Sequence, residues 1–99
     1  MLLEEYNFKR EVLDAEGPVL VYFWAEWCGP CRAMNPTVAS LARTFKVCKV
    51  NTETNPALAA KFNVSAIPTL LVFHRGAVVR RYEGVTPESA LRSDLEALT

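Results

Sequence analysis

The run Val19-Leu20-Val21-Tyr22-Phe23-Trp24-Ala25 constrains this chain more than any other feature. Seven residues fall far short of the roughly 20 that cross a bilayer, and their length suits a strand better than a helix. The run is apolar on both parities, so as a strand it must be covered on both faces. A chain built on such a strand needs helices on either side of its sheet. One residue later comes Trp27-Cys28-Gly29-Pro30-Cys31. Two thiols spaced i and i+3, where a buried strand gives way to a helix, can close a small disulfide ring and reopen it. A cysteine at a helix start is easily ionised, and the thiolate is the form that attacks disulfides. The pentapeptide therefore points to thiol–disulfide exchange.

The flanking segments complete an order of αβαβαββα. Glu5 to Ala15 carries Phe8, Val12 and Leu13 at helical spacing and ends at Gly17-Pro18. Cys31 to Phe45 places Met34, Val38, Leu41, Ala42 and Phe45 on one helical stripe, with Pro36 inside as an expected kink. Val47 to Asn51 alternates with lysines and predicts a second strand. Asn55-Pro56 has the form of an N-cap followed by proline, opening a short helix to about Phe62. Leu70 to Phe73 is a third strand, and Arg75-Gly76 a hairpin turn into a fourth over Val78 to Tyr82. Thr86-Pro87 repeats the cap-plus-proline pattern ahead of Leu91, Leu95 and Leu98, the inner face of a last helix. Helices between strands imply parallel crossovers and the late hairpin an antiparallel pair, hence a mixed sheet.

The 99 residues form one domain, 1–99, large enough to bury a core without staples. Eleven basic and eleven acidic side chains cancel, so no net field draws nucleic acid or an anionic membrane. Glu4, Glu5 and Asn7 interrupt the start where a secretory signal needs an apolar core, which makes the cytoplasm the expected location. Three cysteines exclude a fully paired disulfide framework. A zinc site wants four ligands, and beyond Cys28 and Cys31 only Cys48 and His74 remain, both distant in sequence; no metal is expected. Cys48 reads as a buried, inert thiol and His74 as a solvated loop residue.

Trp24-Ala25-Glu26-Trp27-Cys28-Gly29-Pro30-Cys31-Arg32, then Pro36, Asn55-Pro56, Ile67-Pro68-Thr69, Gly76 and Gly84, resemble the thioredoxin family in order and spacing. The likeness runs from about Phe8 to the C-terminus. It implies an α/β thioredoxin fold with a four- to five-stranded mixed sheet flanked by helices. It also implies a cis proline at Pro68 facing the dithiol, disulfide-containing protein substrates and electrons from a thioredoxin reductase. Carried over position by position, Cys28 is the attacking and Cys31 the resolving thiol. Gly29 and Pro30 keep their turn short, and Trp27 forms an apolar rim. Ala66, Ile67, Pro68, Gly84 and Val85 form a shallow groove for an extended substrate strand. No bound cofactor is expected beyond the redox-active Cys28–Cys31 disulfide.

Two departures stand out. The family usually has a buried aspartate where this chain has Tyr22, with a nearby lysine that corresponds to Lys49. That aspartate is thought to relay a proton to the inner thiol, and a phenol of pKa about 10 stays protonated near neutral pH. Resolution by Cys31 is therefore expected to be slower or less pH-sensitive than with a carboxylate. Trp24 is expected either to pack beneath the active-site turn or to act on the dithiol. The second departure is a short N-terminus: only Met1 to Tyr6 remains for a strand before the first helix. Either that strand is vestigial or the sheet has four strands, and an uncovered edge would allow a weak dimer where a monomer is otherwise expected.

Two other functional readings compete with a disulfide reductase. One is a binding or chaperone module of the same fold with an incidental dithiol. The other is an oxidase or isomerase of an exported compartment. Gly-Pro between the cysteines resembles the reducing members more than the oxidising ones.

Overall fold

The computed structural model describes residues 2–99. Its elements are α1 (Glu5–Phe8) continuing into a π-helical segment (Lys9–Leu13), β1 (Val19–Trp24), α2 (Gly29–Ala42), β2 (Lys46–Asn51), α3 (Pro56–Lys61), β3 (Thr69–His74), β4 (Ala77–Glu83) and α4 (Glu88–Ala97). The strands form one sheet in the order β2-β1-β3-β4. β1 runs parallel to β2 and antiparallel to β3, and β4 is antiparallel to β3.

The apolar run does what its pattern requires. β1 and β3 are the inner strands, and both are buried along nearly their whole length. Leu20 and Tyr22 point toward α2 and α4, where they join Met34, Val38, Leu41, Leu91 and Leu95. Val19, Val21 and Phe23 point the other way, toward Phe8, Val12 and Leu58. Alternation with a period of two along the strand separates the two cores.

Only one helical connection is a parallel crossover. The segment through α3 delivers β3 antiparallel to β1, contrary to the expectation from sequence order. Six helical residues rise about 9 Å, whereas six strand residues span about 20 Å. α3 alone therefore cannot carry the chain back along the sheet, and β3 starts at the end where β2 stops. The consequence is functional. The C-terminal end of β1, the start of β3 and the end of β4 meet, with Phe23 opposite Thr69 and Thr69 opposite Glu83.

Several boundaries differ from those the sequence predicts. α2 begins at Gly29 and stops at Ala42, which is exposed; Phe45 follows the helix yet still packs against the core. Asn55 occupies the N-cap of α3 without a side-chain cap bond, because its amide donates instead to Thr54 Oγ1 at 3.1 Å. α4 has Pro87, not Thr86, at its N-cap; the Thr86 hydroxyl donates to the Gly84 carbonyl at 3.0 Å. His74 is the last residue of β3, half-buried and paired with Ala77, so it is not a loop residue. The Arg75-Gly76 turn forms as expected, with positive φ at both residues (53° and 84°).

The N-terminal expectation resolves into four strands plus a remnant. Leu2 makes a single parallel bridge to Lys49, and the Leu3 amide donates to the Lys49 carbonyl at 2.8 Å. Met1, part of the segment weighed as a strand, lies outside the described residues.

Candidate active site

Cys28 is the N-cap of α2, in extended conformation, and Cys31 lies in the first helical turn. The two are joined as a disulfide with their Cα atoms 5.3 Å apart, a separation that one helical turn provides without distortion of the backbone. The Cys31 amide donates to Cys28 Sγ at 3.1 Å. An N-cap side chain satisfies one of the orphan amides of a helix start; here a sulfur fills that position. When the ring opens, the same amide and the positive end of the helix favour charge on that sulfur.

Both cysteines are 2% exposed in the closed state, so accessibility does not distinguish them here. Position does. Cys28 caps the helix, whereas the backbone of Cys31 is tied into the core. The Tyr22 hydroxyl donates to the Cys31 carbonyl at 2.9 Å and lies 3.1 Å from Asn35 Oδ1. Tyr22 is 1% exposed, and burial pushes its phenol up to about 12. Lys49 lies opposite it on β2, half-buried, with no side-chain ion pair among the described residues.

The rim gathers at the end of the sheet where β1, β3 and β4 meet. Trp27 is 67% exposed beside the dithiol turn, and Gly29 and Pro30 are exposed with it. The Ile67–Pro68 peptide bond is cis, and Pro68 is buried. Its carbonyl accepts the Gly84 amide at 2.8 Å, which joins the two loops proposed as a groove. Thr69 Oγ1 donates to the Ala66 carbonyl at 2.6 Å and fixes the bend before β3. Val85 is exposed, Ile67 half-buried and Ala66 exposed. Trp24 packs partly against the α2 core cluster, which includes Cys28 and Cys31. Its indole Nε1 is buried without a partner among the described residues.

Cys48 is the free thiol, buried on the opposite face of the sheet, and burial raises its pKa. His74 lies at the far end of β3. Neither joins the dithiol, and no group of three metal-ligating side chains occurs among the described residues. No helix there is long and apolar enough to cross a membrane.

Asn35 and Met34 escaped the sequence reading as site residues. Asn35 follows Cys31 by four and directly precedes Pro36, so helical spacing alone places it over the resolving cysteine. Met34 Sδ accepts the Thr86 amide at 3.3 Å, which fastens the loop after Gly84 to α2; nothing in the sequence pairs residues 52 positions apart.

Comparison with known proteins agrees with this geometry. The family model described as Thioredoxin matches residues 1–97. The chain is 46% identical over 94 residues to "Thioredoxin 1" of Nostoc sp., covering 91% of this chain and 88% of that one. It is 43% identical over 98 residues to "Thioredoxin" of Synechocystis sp., covering 95% and 92%. Against "Thioredoxin" of Streptomyces clavuligerus the identity is 46% over 88 residues, covering 86% and 82%.

Proposed function

The chain belongs to the thioredoxin family and is a thiol–disulfide oxidoreductase, and from that premise we propose that Cys28 attacks and Cys31 resolves. The observation that carries this assignment is the capping position of Cys28 Sγ, 3.1 Å from the Cys31 amide. In the reduced protein the Cys28 thiolate attacks one sulfur of a substrate disulfide. A Cys28–substrate disulfide forms, and the other substrate sulfur leaves as a thiolate that takes a proton from water. Cys31 then loses its proton to solvent, and its thiolate attacks Cys28 Sγ. The Cys28–substrate bond breaks, the second substrate thiol is released, and the Cys28–Cys31 disulfide closes. Two electrons have passed from the dithiol to the substrate.

Trp27, Gly29, Pro30, Ala66, Ile67, Pro68, Gly84 and Val85 form the substrate surface. Its apolar, exposed residues suit proteins selected by an accessible disulfide more than by sequence. A thioredoxin reductase returns the electrons, so the protein serves as a cytoplasmic electron carrier with no bound cofactor, acting as a monomer. Tyr22 modulates the resolving step, with Lys49 and Trp24 as its neighbours in the fold. A phenol held up at about 12 by burial accepts no proton in the working range, so Cys31 must be deprotonated by solvent. Tyr22→Asp is expected to add a carboxylate-dependent limb to the pH profile of resolution; a profile of unchanged shape removes Tyr22 as a modulator of the proton step.

The deciding measurement is the Cys28–Cys31 reduction potential, by equilibration against glutathione and a dithiol buffer with mass spectrometry counting oxidised thiols. A value below the cytosolic glutathione range of roughly −220 to −260 mV supports the reductant. A value near the oxidising folding catalysts, about −120 to −180 mV, reverses the direction of transfer. The absence of a reversible couple leaves the binding module.

A further inference from the structure

The first turn of α2 is short of one hydrogen bond. Pro36 has no amide, so the Arg32 carbonyl lacks its i+4 donor in the turn that carries the resolving cysteine. On the adjacent carbonyl, that of Cys31, an extra donor arrives from outside the helix: the Tyr22 hydroxyl at 2.9 Å. The same hydroxyl lies 3.1 Å from Asn35 Oδ1, and Asn35 is the residue immediately before the proline. Tyr22 is anchored in the middle of β1, between Lys49 of β2 and Leu70 of β3. The phenol therefore ties an inner strand of the sheet to the Cys31 end of the weakened turn and lies against its Asn35 end.

We propose that Tyr22 and Asn35 form a strut that positions Cys31 for the resolving attack, with Asn35 acting through the Tyr22 hydroxyl. Resolution needs the Cys31 sulfur held close to Cys28 Sγ and in line with the bond that breaks, and small displacements cost rate steeply. A strand-anchored donor on the Cys31 carbonyl restricts the turn that Pro36 loosens. The strut works by position, not by proton transfer. The titratable groups around Tyr22 are Cys28 and Cys31 of α2, Tyr82 of β4 packed against the same cluster, and Lys49, its register partner on β2; β3 and α4 add only apolar side chains, Leu70, Val72, Leu91 and Leu95. This inference rests on the attacking and resolving roles proposed above.

The reduced protein mixed with 5,5′-dithiobis(2-nitrobenzoate) separates the two steps. Attack by Cys28 releases one thionitrobenzoate anion and leaves a mixed disulfide on Cys28; attack by Cys31 then releases the second and closes the ring. Both are read as absorbance against time across pH 6 to 9. Tyr22→Phe is expected to slow the second phase about fivefold, the rate equivalent of one neutral hydrogen bond, with the first phase unchanged. Its pH midpoint is expected to stay in place, because the phenol removed does not titrate between pH 6 and 9. Asn35→Ala, an exposed change, is expected to slow the second phase about twofold in the native background and not at all on top of Tyr22→Phe. The strut is overturned by an unchanged second phase, by equal slowing of both phases, by a shifted midpoint, or by additive effects of the two substitutions. Failure of the attack assignment is distinct from all of these: the first phase would then survive Cys28→Ser.

Discussion

The two faces of the sheet are built from the same strands and do different work. Toward α1 and α3 the packing is hydrocarbon and aromatic. Phe8, Phe62 and Phe73 form a ring cluster with centroids 5.3 to 5.8 Å apart, two of its three contacts edge-on. Around this core the polar bonds serve chain ends. The Val64 amide donates to Ala59 O at 2.8 Å and Asn63 adopts positive φ, closing α3 in a Schellman turn. Arg81 adds donors to the carbonyls of Phe62 and Asn63. Toward α2 and α4 the core contains atoms with chemistry: the Cys28–Cys31 disulfide, and the Tyr22 oxygen, Cys28 sulfur and Met34 sulfur, these three bonded to backbone. Buried cysteines occur on both faces, and only their settings separate them. Cys31 shares a helix start with a partner sulfur, whereas Cys48 sits in a strand as a free thiol whose pKa burial raises. One face supplies stability and the other reactivity.

That contrast can be broken most severely at Cys28. Cys28→Ser is expected to abolish catalytic reduction of protein disulfides in a turbidity assay with insulin, while the unfolding midpoint of the reduced protein barely moves. Retained turnover would place the chemistry elsewhere. On the other face the effect should invert. Phe73→Ala removes a ring from the aromatic cluster and is expected to cost about 3–5 kcal/mol in denaturant unfolding. Its rate of disulfide reduction per folded molecule should remain near that of the parent. A smaller difference separates the two kinds of thiol. In the reduced native protein, Cys28 is expected to react with iodoacetamide and Cys48 to resist it until unfolding, as counted by mass spectrometry. Modification of Cys48 at a comparable rate would mean that the two faces are not distinct in reactivity.

The smallest effect concerns a charge outside both cores. Arg92 and Ser40 hold the Glu88 carboxyl below its ordinary value of 4.5. A carboxyl with a lowered folded pKa contributes stability above its unfolded pKa and loses it as pH falls through the folded value. Glu88→Gln should therefore lower stability slightly at neutral pH and converge with the parent as pH falls below 4.5. Because the group is exposed to solvent, the effect should shrink further with added salt.

Much of the site was legible in the chain because its signals are local. The cysteine spacing, the strand that precedes it and the helix that follows all lie between Val19 and Ala42. Pro68, Gly84 and Val85 became readable through resemblance, since their own neighbourhoods carry no chemistry. Thr86 is displaced from the predicted cap position, and Asn55 caps α3 in position but without a side-chain bond, for a different reason. Asn55 and Thr86 have side chains that can bond several nearby backbone or hydroxyl groups, and the choice among them depends on geometry that periodicity does not encode. The end of α2 was overextended because Phe45 is half-buried against the core without being helical: burial continues a stripe in sequence even where the backbone has turned.

By itself the sequence determined the elements and the reactive pair. A two-sided apolar strand, amphipathic helices and a Cys-Gly-Pro-Cys turn are consequences of residue type and spacing over a few turns. Only the tertiary structure decided what surrounds the pair: the direction of β3, the meeting of Pro68 with Gly84, the Met34–Thr86 tie and the Tyr22 bond to the Cys31 carbonyl. Those features join residues far apart in the chain, or depend on where one hydroxyl points. Hydrophobic burial specifies which faces close on one another, but it is non-directional. Directional bonds form only after that closure has brought their donors and acceptors within reach.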